Sequence, residues 1–300
     1  MTQINTRSSS VNFWRRVFIV PVAFVLAFPL LANAQVIASD MDGSSSLNLI
    51  SYSNPFEFAF GSPGDGFQKY QRGVSSSIPF AVLDDSLSIF PPDNLGIIKE
   101  GNTDIFFGVV DTENSDNSGP VEATWVFNIS GASDLGLSID MGAMGDFESS
   151  DYFIWRYSID GGPLTTAFAS SVDEDGSYTY TLEGGGSFTL NDPMLMQGEV
   201  LTNDLATFST PISGTGTTLE LTLEAVFNGG SEAVAFQNVI VGTGFDGHHA
   251  GIAERVVLHS LHFGASGSHS RISAARRRPA ARHREAGQAT ERRSVRPAAG

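Results

Sequence analysis

Residues 148–162 read Glu148-Ser149-Ser150-Asp151-Tyr152-Phe153-Ile154-Trp155-Arg156-Tyr157-Ser158-Ile159-Asp160-Gly161-Gly162, an acidic loop that runs into a strand and leaves through a tight turn. Side chains on a β-strand alternate between faces, so Phe153, Trp155, Tyr157 and Ile159 share one face and Tyr152, Ile154, Arg156 and Ser158 the other. An apolar row of that size belongs to a central strand with a polar end. Asp160-Gly161-Gly162 supplies residues that tolerate positive φ, so the chain should double back as a hairpin into residues 164–168.

Working outward, short runs rich in Val, Ile, Leu, Phe, Thr and Tyr alternate with Gly, Asp, Asn, Ser and Pro clusters, and no long helical periodicity interrupts them. The pattern predicts strands at 47–52, 56–60, 105–110, 121–129, 135–141, 152–159, 164–168, 178–182, 187–190, 217–227 and 233–241. Val121, Ala123, Trp125, Phe127 and Ile129 alternate with Glu122, Thr124, Val126 and Asn128, the mark of an antiparallel strand with one buried face. Leu219, Leu221, Leu223 and Ala225 do the same against Glu220, Thr222 and Glu224. The expected fold is all-β, a two-sheet antiparallel sandwich of jelly-roll type. Trp125, Trp155, Phe127 and Phe153 are expected in its core rather than on a sugar-binding platform.

Charge is distributed unevenly along the 300 residues. Of the 33 acids, only Glu254, Glu285 and Glu291 lie from residue 254 onward and none precedes residue 35. That leaves 30 acids in residues 35–253 facing four bases, Lys69, Arg72, Lys99 and Arg156. Such a body repels phosphate backbones, which excludes nucleic-acid binding by this domain, and it suits cation binding. The chain has no cysteine, and residues 35–244 contain no histidine, so thiolate, imidazole and most transition-metal chemistry is excluded there.

Residues 1–34 have the form of an export signal: Arg15-Arg16, an apolar run over 17–31, and Ala32-Asn33-Ala34 before Gln35. Pro21 and Pro29 and the shortness of the run argue against a membrane anchor. The product is therefore expected to be secreted or held at the cell surface, with no membrane span after cleavage. Residues 35–244 form the acidic domain. From 245 to 300 the composition changes abruptly to Arg, His, Ala, Gly and Pro, with all six histidines and ten arginines. A disordered basic arm, a His-rich metal tract at His248-His249 and out-of-frame translation are the three readings, and the simultaneous loss of acids and β-formers favours the last.

Carboxylate chemistry remains. Two carboxylates suffice for glycoside hydrolysis, but these acids fall mostly in Gly/Ser-rich turns rather than mid-strand in a cleft. Calcium takes six to eight oxygens from loop carboxylates and carbonyls and is the better use of them. Three clusters qualify: Asp40-Met41-Asp42-Gly43, Asp146-Phe147-Glu148-Ser149-Ser150-Asp151 and Asp173-Glu174-Asp175-Gly176. The predicted ligands are Glu148, Asp151, Asp40 and Asp42, with the central loop foremost because a rigid strand follows it.

Glu148-Ser149-Ser150-Asp151 with Tyr157-Ser158-Ile159-Asp160-Gly161-Gly162, the stretch 125–141 before it, and Glu232-Ala233-Val234-Ala235-Phe236-Gln237-Asn238-Val239 closing the domain together resemble a non-catalytic β-sandwich module. Modules of this kind stand at the amino-terminal end of secreted bacterial extracellular nucleases and in other exported surface proteins. The closing motif also resembles MAM-type and lectin-like jelly rolls. In those sandwiches the motif often reads Phe-Asp-Asn and its Asp helps hold calcium; Gln237 stands at that position here. The resemblance implies a secreted, calcium-stabilised binding or surface module, accessory to an extracellular hydrolase, with an extracellular glycan or cell-surface polymer as partner. The alternatives are a truncated extracellular nuclease lacking its catalytic domain, cut short by a frameshift near residue 245, and a carboxylate glycosidase on the sandwich itself.

Overall fold

The computed structural model describes residues 35–74, 77–79, 83–85 and 96–243; residues 1–34, expected to be an export signal, and the basic tail lie outside the described residues. In chain order the strands are β1 (Gln35–Asp42), β2 (Ser45–Leu47), β3 (Leu49–Ser53), β4 (Gly66–Tyr70), β5 (Asp84–Asp85), β6 (Ile98–Lys99), β7 (Phe106–Val110), β8 (Val121–Asn128) and β9 (Leu135–Met144). They continue as β10 (Tyr152–Ile159), β11 (Thr165–Val172), β12 (Ser177–Thr181), β13 (Ser187–Asn191), β14 (Met194–Met196), β15 (Glu199–Val200), β16 (Ala206–Pro211), β17 (Thr218–Val226) and β18 (Ala233–Thr243). No helix occurs among the described residues.

Two antiparallel sheets pack as a sandwich. One runs β15-β14-β11-β10-β17-β8-β3; the other runs β16-β9-β18-β1-β2, with β7 also paired to β18 and β4 to β7. The first sheet alternates as expected: in β8, Val121, Ala123, Trp125 and Phe127 are buried and their neighbours are not, and in β10 Phe153, Trp155 and Tyr157 are buried, with Ser158 beside them breaking the alternation at the strand's end. The second sheet is covered on both faces, so β7 is buried at all five positions and β9 at nine of ten. Its inner face gives Phe107, Val109, Ile139, Val234 and Phe236 to the main core. Its outer face gives Phe106, Val110, Ala233 and Ala235 to a second cluster closed by Tyr70, Leu83, Ile97, Ile98 and Tyr180. A run of buried residues without alternation is what a doubly covered strand requires.

The sheets are joined through aromatic rings. Trp125 meets Trp155 at 5.1 Å between ring centroids, Trp155 meets Phe236 at 5.4 Å, and Phe236 meets Phe153 at 4.9 Å. On the other side Trp125 meets Phe107 at 5.5 Å, and Phe107 meets Phe67 at 4.8 Å. The edge-to-face pairs among them add about 0.5–1.5 kcal/mol each beyond the area they bury. The four aromatics expected in the core are all there.

Between β7 and β10 and again between β16 and β18, consecutive strands alternate between the sheets, so each connection arches over an end of the sandwich. Register places three arches side by side. Met144 and Val110 both pair with Ala233, while Tyr152 pairs with Val226 and Val121 with Ala225. The arches 145–151, 227–232 and 111–120 therefore share one end, with 227–232 in the middle.

Two expectations require correction. Residues 56–60 form turns rather than a strand, because Asn54 caps the bend with its side chain on Phe56 N at 2.9 Å and Phe67 O at 2.7 Å. The run 47–52 is split at Asn48, whose φ of 54° turns the chain from one sheet to the other. Phe58 thereby ends 71% exposed, whereas Phe236 is fully buried. We expect Phe236→Ala to lower unfolding free energy by about 3–5 kcal/mol and Phe58→Ala to stay within about 0.5 kcal/mol, read by urea denaturation.

Candidate metal centre

The strand β10 starts at a rigid position, since Tyr152 through Ile159 pair without a break with β17. The arch before it turns on itself: Asp151 N donates to Glu148 O at 2.9 Å, and Glu148 N donates to Asp151 Oδ2 at 2.7 Å. Asp151 also accepts from Asn228 N at 3.3 Å, which ties this arch to its neighbour. In that neighbour, Gly229 N donates to Glu232 Oε2 at 3.1 Å, so the carboxylate folds back beneath its own loop. A Cβ at Gly145 would lie 2.9 Å from Glu232 Cα, so glycine is what lets the two arches close together.

These constraints bring Glu148, Asp151 and Glu232 together, with one carboxylate oxygen from each lying within 4.8 Å of the others. Asp151 is 2% exposed and Glu232 3%, while Glu148 faces solvent. All four bases of the domain are committed elsewhere: Lys69 to Asp40, Arg72 to Asp84, Lys99 to Asp204 and Arg156 to Glu224. Burial, followed by the negative charges of Asp151 and Glu148, pushes the Glu232 carboxyl up to about 9. Burial and the proximity of Glu148 push Asp151 up to about 6, against the pull of the two backbone N–H donors. Chemically the group offers hard oxygen donors of the type calcium and magnesium take, and it could hold such an ion.

Two of the four residues singled out from sequence, Glu148 and Asp151, belong to this group. The other two do not reach it. Asp40, 6% exposed, forms an ion pair with Lys69 and accepts from Trp125 Nε1 at 2.7 Å. Lys69 Nζ also lies 3.9 Å from the Tyr52 ring centroid, a cation–π contact. These contacts fill the gap where β18 changes partner from β1, at Asp40 and Val239, to β7, at Phe107 and Phe236. Asp42 is exposed in the β1–β2 turn, where its carbonyl accepts from Ser45 Oγ at 2.9 Å. Gln237, at the position where related motifs carry Asp, is buried in β18 and accepts from Asn102 Nδ2 at 3.2 Å. The 173–175 turn lies near Asp146 of the central arch: desolvation and then the charges of Asp146, Glu174, Asp173 and Asp175 raise the Asp192 carboxyl.

Sequence reasoning missed Glu232. The available signal was its place directly before an apolar strand and after Asn228-Gly229-Gly230-Ser231, an acid at the mouth of a buried element.

No family model and no curated protein matches the chain. Among solved structures it is similar to the CBM22-1–GH10 modules of endo-1,4-beta-D-xylanase 10B of Clostridium thermocellum, complexed with xylohexaose, at 11% identity and a TM-score of 0.26. That match covers 68% of this chain and 30% of the other. It is also similar to the K3 adhesin domain of Lys-gingipain of Porphyromonas gingivalis w83, at 9% identity and a TM-score of 0.27, over 65% of this chain and 99% of that one. Both likenesses are distant.

The raised Glu232 value fixes a pH dependence. Between its ordinary 4.5 and about 9, the native state holds a proton that the unfolded chain has released. Native stability from this group is therefore complete at the low end and lost as pH rises through the window. In excess chelator the melting temperature should fall across that range, and Glu232→Gln should flatten the fall; a wild-type curve that rises with pH contradicts the assignment. For the other carboxylate, Asp40→Ala strands Lys69 and the Trp125 N–H and should cost about 3 kcal/mol in urea unfolding. Adding Lys69→Met should recover part of it.

Proposed function

We propose that this chain is an exported, non-catalytic β-sandwich module locked by calcium at Glu148, Asp151 and Glu232, and that it binds a neutral extracellular glycan or cell-surface polymer. One observation carries the metal reading: three carboxylates converge, two of them buried, while every base of the domain is paired elsewhere. Only protons or a cation can neutralise such a group, and a divalent ion does so while also bridging two arches. The ion would act as a clamp between residues 145–151 and 227–232, that is, between both sheet crossings that flank β10 and β18.

The carboxylate spacing is near that of a retaining glycosidase, about 5 Å between the pair. Burial argues against that reading. With Asp151 and Glu232 almost wholly enclosed, a glycosidic oxygen has no route to both carboxylates at once. The acidic surface favours an uncharged polymer over a polyanion as partner, by simple repulsion.

Calcium at about a hundred times its Kd should stabilise the native state by about 2.7 kcal/mol, raising the melting temperature by roughly 5–10 °C for a domain of this size. Differential scanning calorimetry with calcium and with excess chelator measures this. Glu148→Gln combined with Asp151→Asn should abolish the increment while leaving the strands intact by circular dichroism. Identical melts of the wild type in calcium and in chelator would remove the calcium reading.

A further inference from the structure

At the end of the sandwich opposite the acidic arches, the turn from β10 to β11 and the loop from β16 to β17 enclose a cavity of about 370 Å³. That volume lies at the lower end of the range for small-molecule sites, about 300–1,000 Å³. Tyr157, Ile159 and Pro163 give the cavity apolar walls, while Asp160, Thr165 and Thr215 give it oxygens, and none of its described lining residues is a base. The walls are fixed before any ligand arrives. Asp160 Oδ1 accepts from Thr217 N and Thr218 N at 3.0 and 2.8 Å, and from the hydroxyls of the same two threonines at 2.8 and 3.0 Å. Ser213 N donates to the Tyr157 phenol oxygen at 2.9 Å. A Cβ at Gly216 would lie 2.3 Å from Ile159 Cγ2, so glycine is what lets the loop close on the turn. Walls held in this way spare a ligand the cost of ordering them.

The same bonds leave polar capacity unspent. Asp160 Oδ2 takes only a share of the Thr217 N–H, at 3.1 Å, so most of its lone-pair capacity remains. Donors from Thr218 and then Thr217 hold the Asp160 carboxyl down to about 2, which makes it an anion, and an acceptor only, at any ordinary pH. The Tyr157 phenol, with Ser213 as its donor, still has its own proton to give. A carboxylate acceptor, hydroxyls and apolar surface in one small cavity match a sugar ring, which carries hydroxyl donors and acceptors around a C–H face. An anionic ligand is repelled by Asp160, and an ammonium would meet a single carboxylate already engaged by two threonines. We propose that this cavity is the sugar-binding site of the module and takes one neutral sugar unit, with Asp160 Oδ2 accepting from a ring hydroxyl and the C–H face lying against Ile159 and Pro163. The inference rests on the neutral-glycan reading above and adds where the glycan binds. The site lies the length of β10 away from Glu148 and Asp151, so it calls for no ion within reach of the ligand.

The test titrates the full chain with glucose, galactose, mannose, xylose and N-acetylglucosamine, and with soluble neutral polysaccharides, and follows backbone amide shifts by NMR. At least one of these should shift the amides of residues 160–165 and 213–218 and spare those of 145–151 and 227–232. Thr215→Trp fills the cavity from an exposed position without removing any of the bonds described above. It should weaken binding by about tenfold or more and leave the melting temperature unchanged. Thr165→Val, which removes one hydroxyl at nearly constant shape, should weaken binding several-fold, and it decides the matter if Thr215→Trp does not fold: unchanged binding overturns the site. Polysaccharide binding that shifts other amides and survives Thr215→Trp also overturns the site, while the glycan reading stands. Absence of binding by every sugar and polysaccharide overturns the glycan reading and this site with it. Shifts of these amides by methylammonium but by no sugar overturn the proposal in favour of a cationic ligand.

Discussion

The whole sandwich is built on β18. This last strand of the described domain occupies the middle of its sheet, paired with β9 along one edge and with β1 and then β7 along the other. Its inner face delivers Phe236, which packs against Trp155 and Phe153 of the other sheet. Neither β1 nor β9 can complete its hydrogen bonding until residues near the end of the domain arrive. Such long-range pairing makes folding slow and strongly cooperative, since loop closure is unfavourable before any of these contacts forms.

The position of the acids follows from the same constraint. Because β9 and β18 are neighbours in one sheet and β10 and β17 in the other, their connecting arches must lie against each other at one end. Packing then removes water from Asp151 and Glu232, and electrostatics opposes it, since no base of the domain is free to compensate. Asp40 shows the contrasting solution. There an equally buried carboxylate is matched by Lys69 and by an indole N–H, and it serves the core rather than a ligand. A conflict left unresolved at one place and resolved at another marks the first as the functional candidate.

Much of this was legible from period-two patterning. β10 begins and ends where the sequence places it, and the turn at Asp160-Gly161 takes the positive φ values its composition requires. Strands escaped notice where alternation fails physically. β4 is buried at Gly66, Phe67, Gln68 and Tyr70, with a glycine and a glutamine among them, and β14 and β15 are too short to show a period. β1 was missed because its apolar residues are interrupted by Ser39 and Asp40. At the site, Glu148 and Asp151 were visible because they precede a strong strand on the same stretch of chain. Glu232 was not, because only the register of two sheets shows that a residue so distant in sequence lies beside them. Asp40 was misplaced for the opposite reason: its neighbours in sequence are acidic, but its neighbours in space are Lys69 and Trp125.

The pairing of Gln35 with Thr243 has a mechanical meaning. Entry to and exit from the domain leave it side by side, at the same edge of the same strand pair. A pull on the two ends therefore loads β1 against β18 as a zipper, breaking ladder hydrogen bonds one after another rather than all together in shear. The domain would yield at low force from that end, and it can be carried within a longer chain as an insertion that adds almost nothing to the distance between its flanking segments.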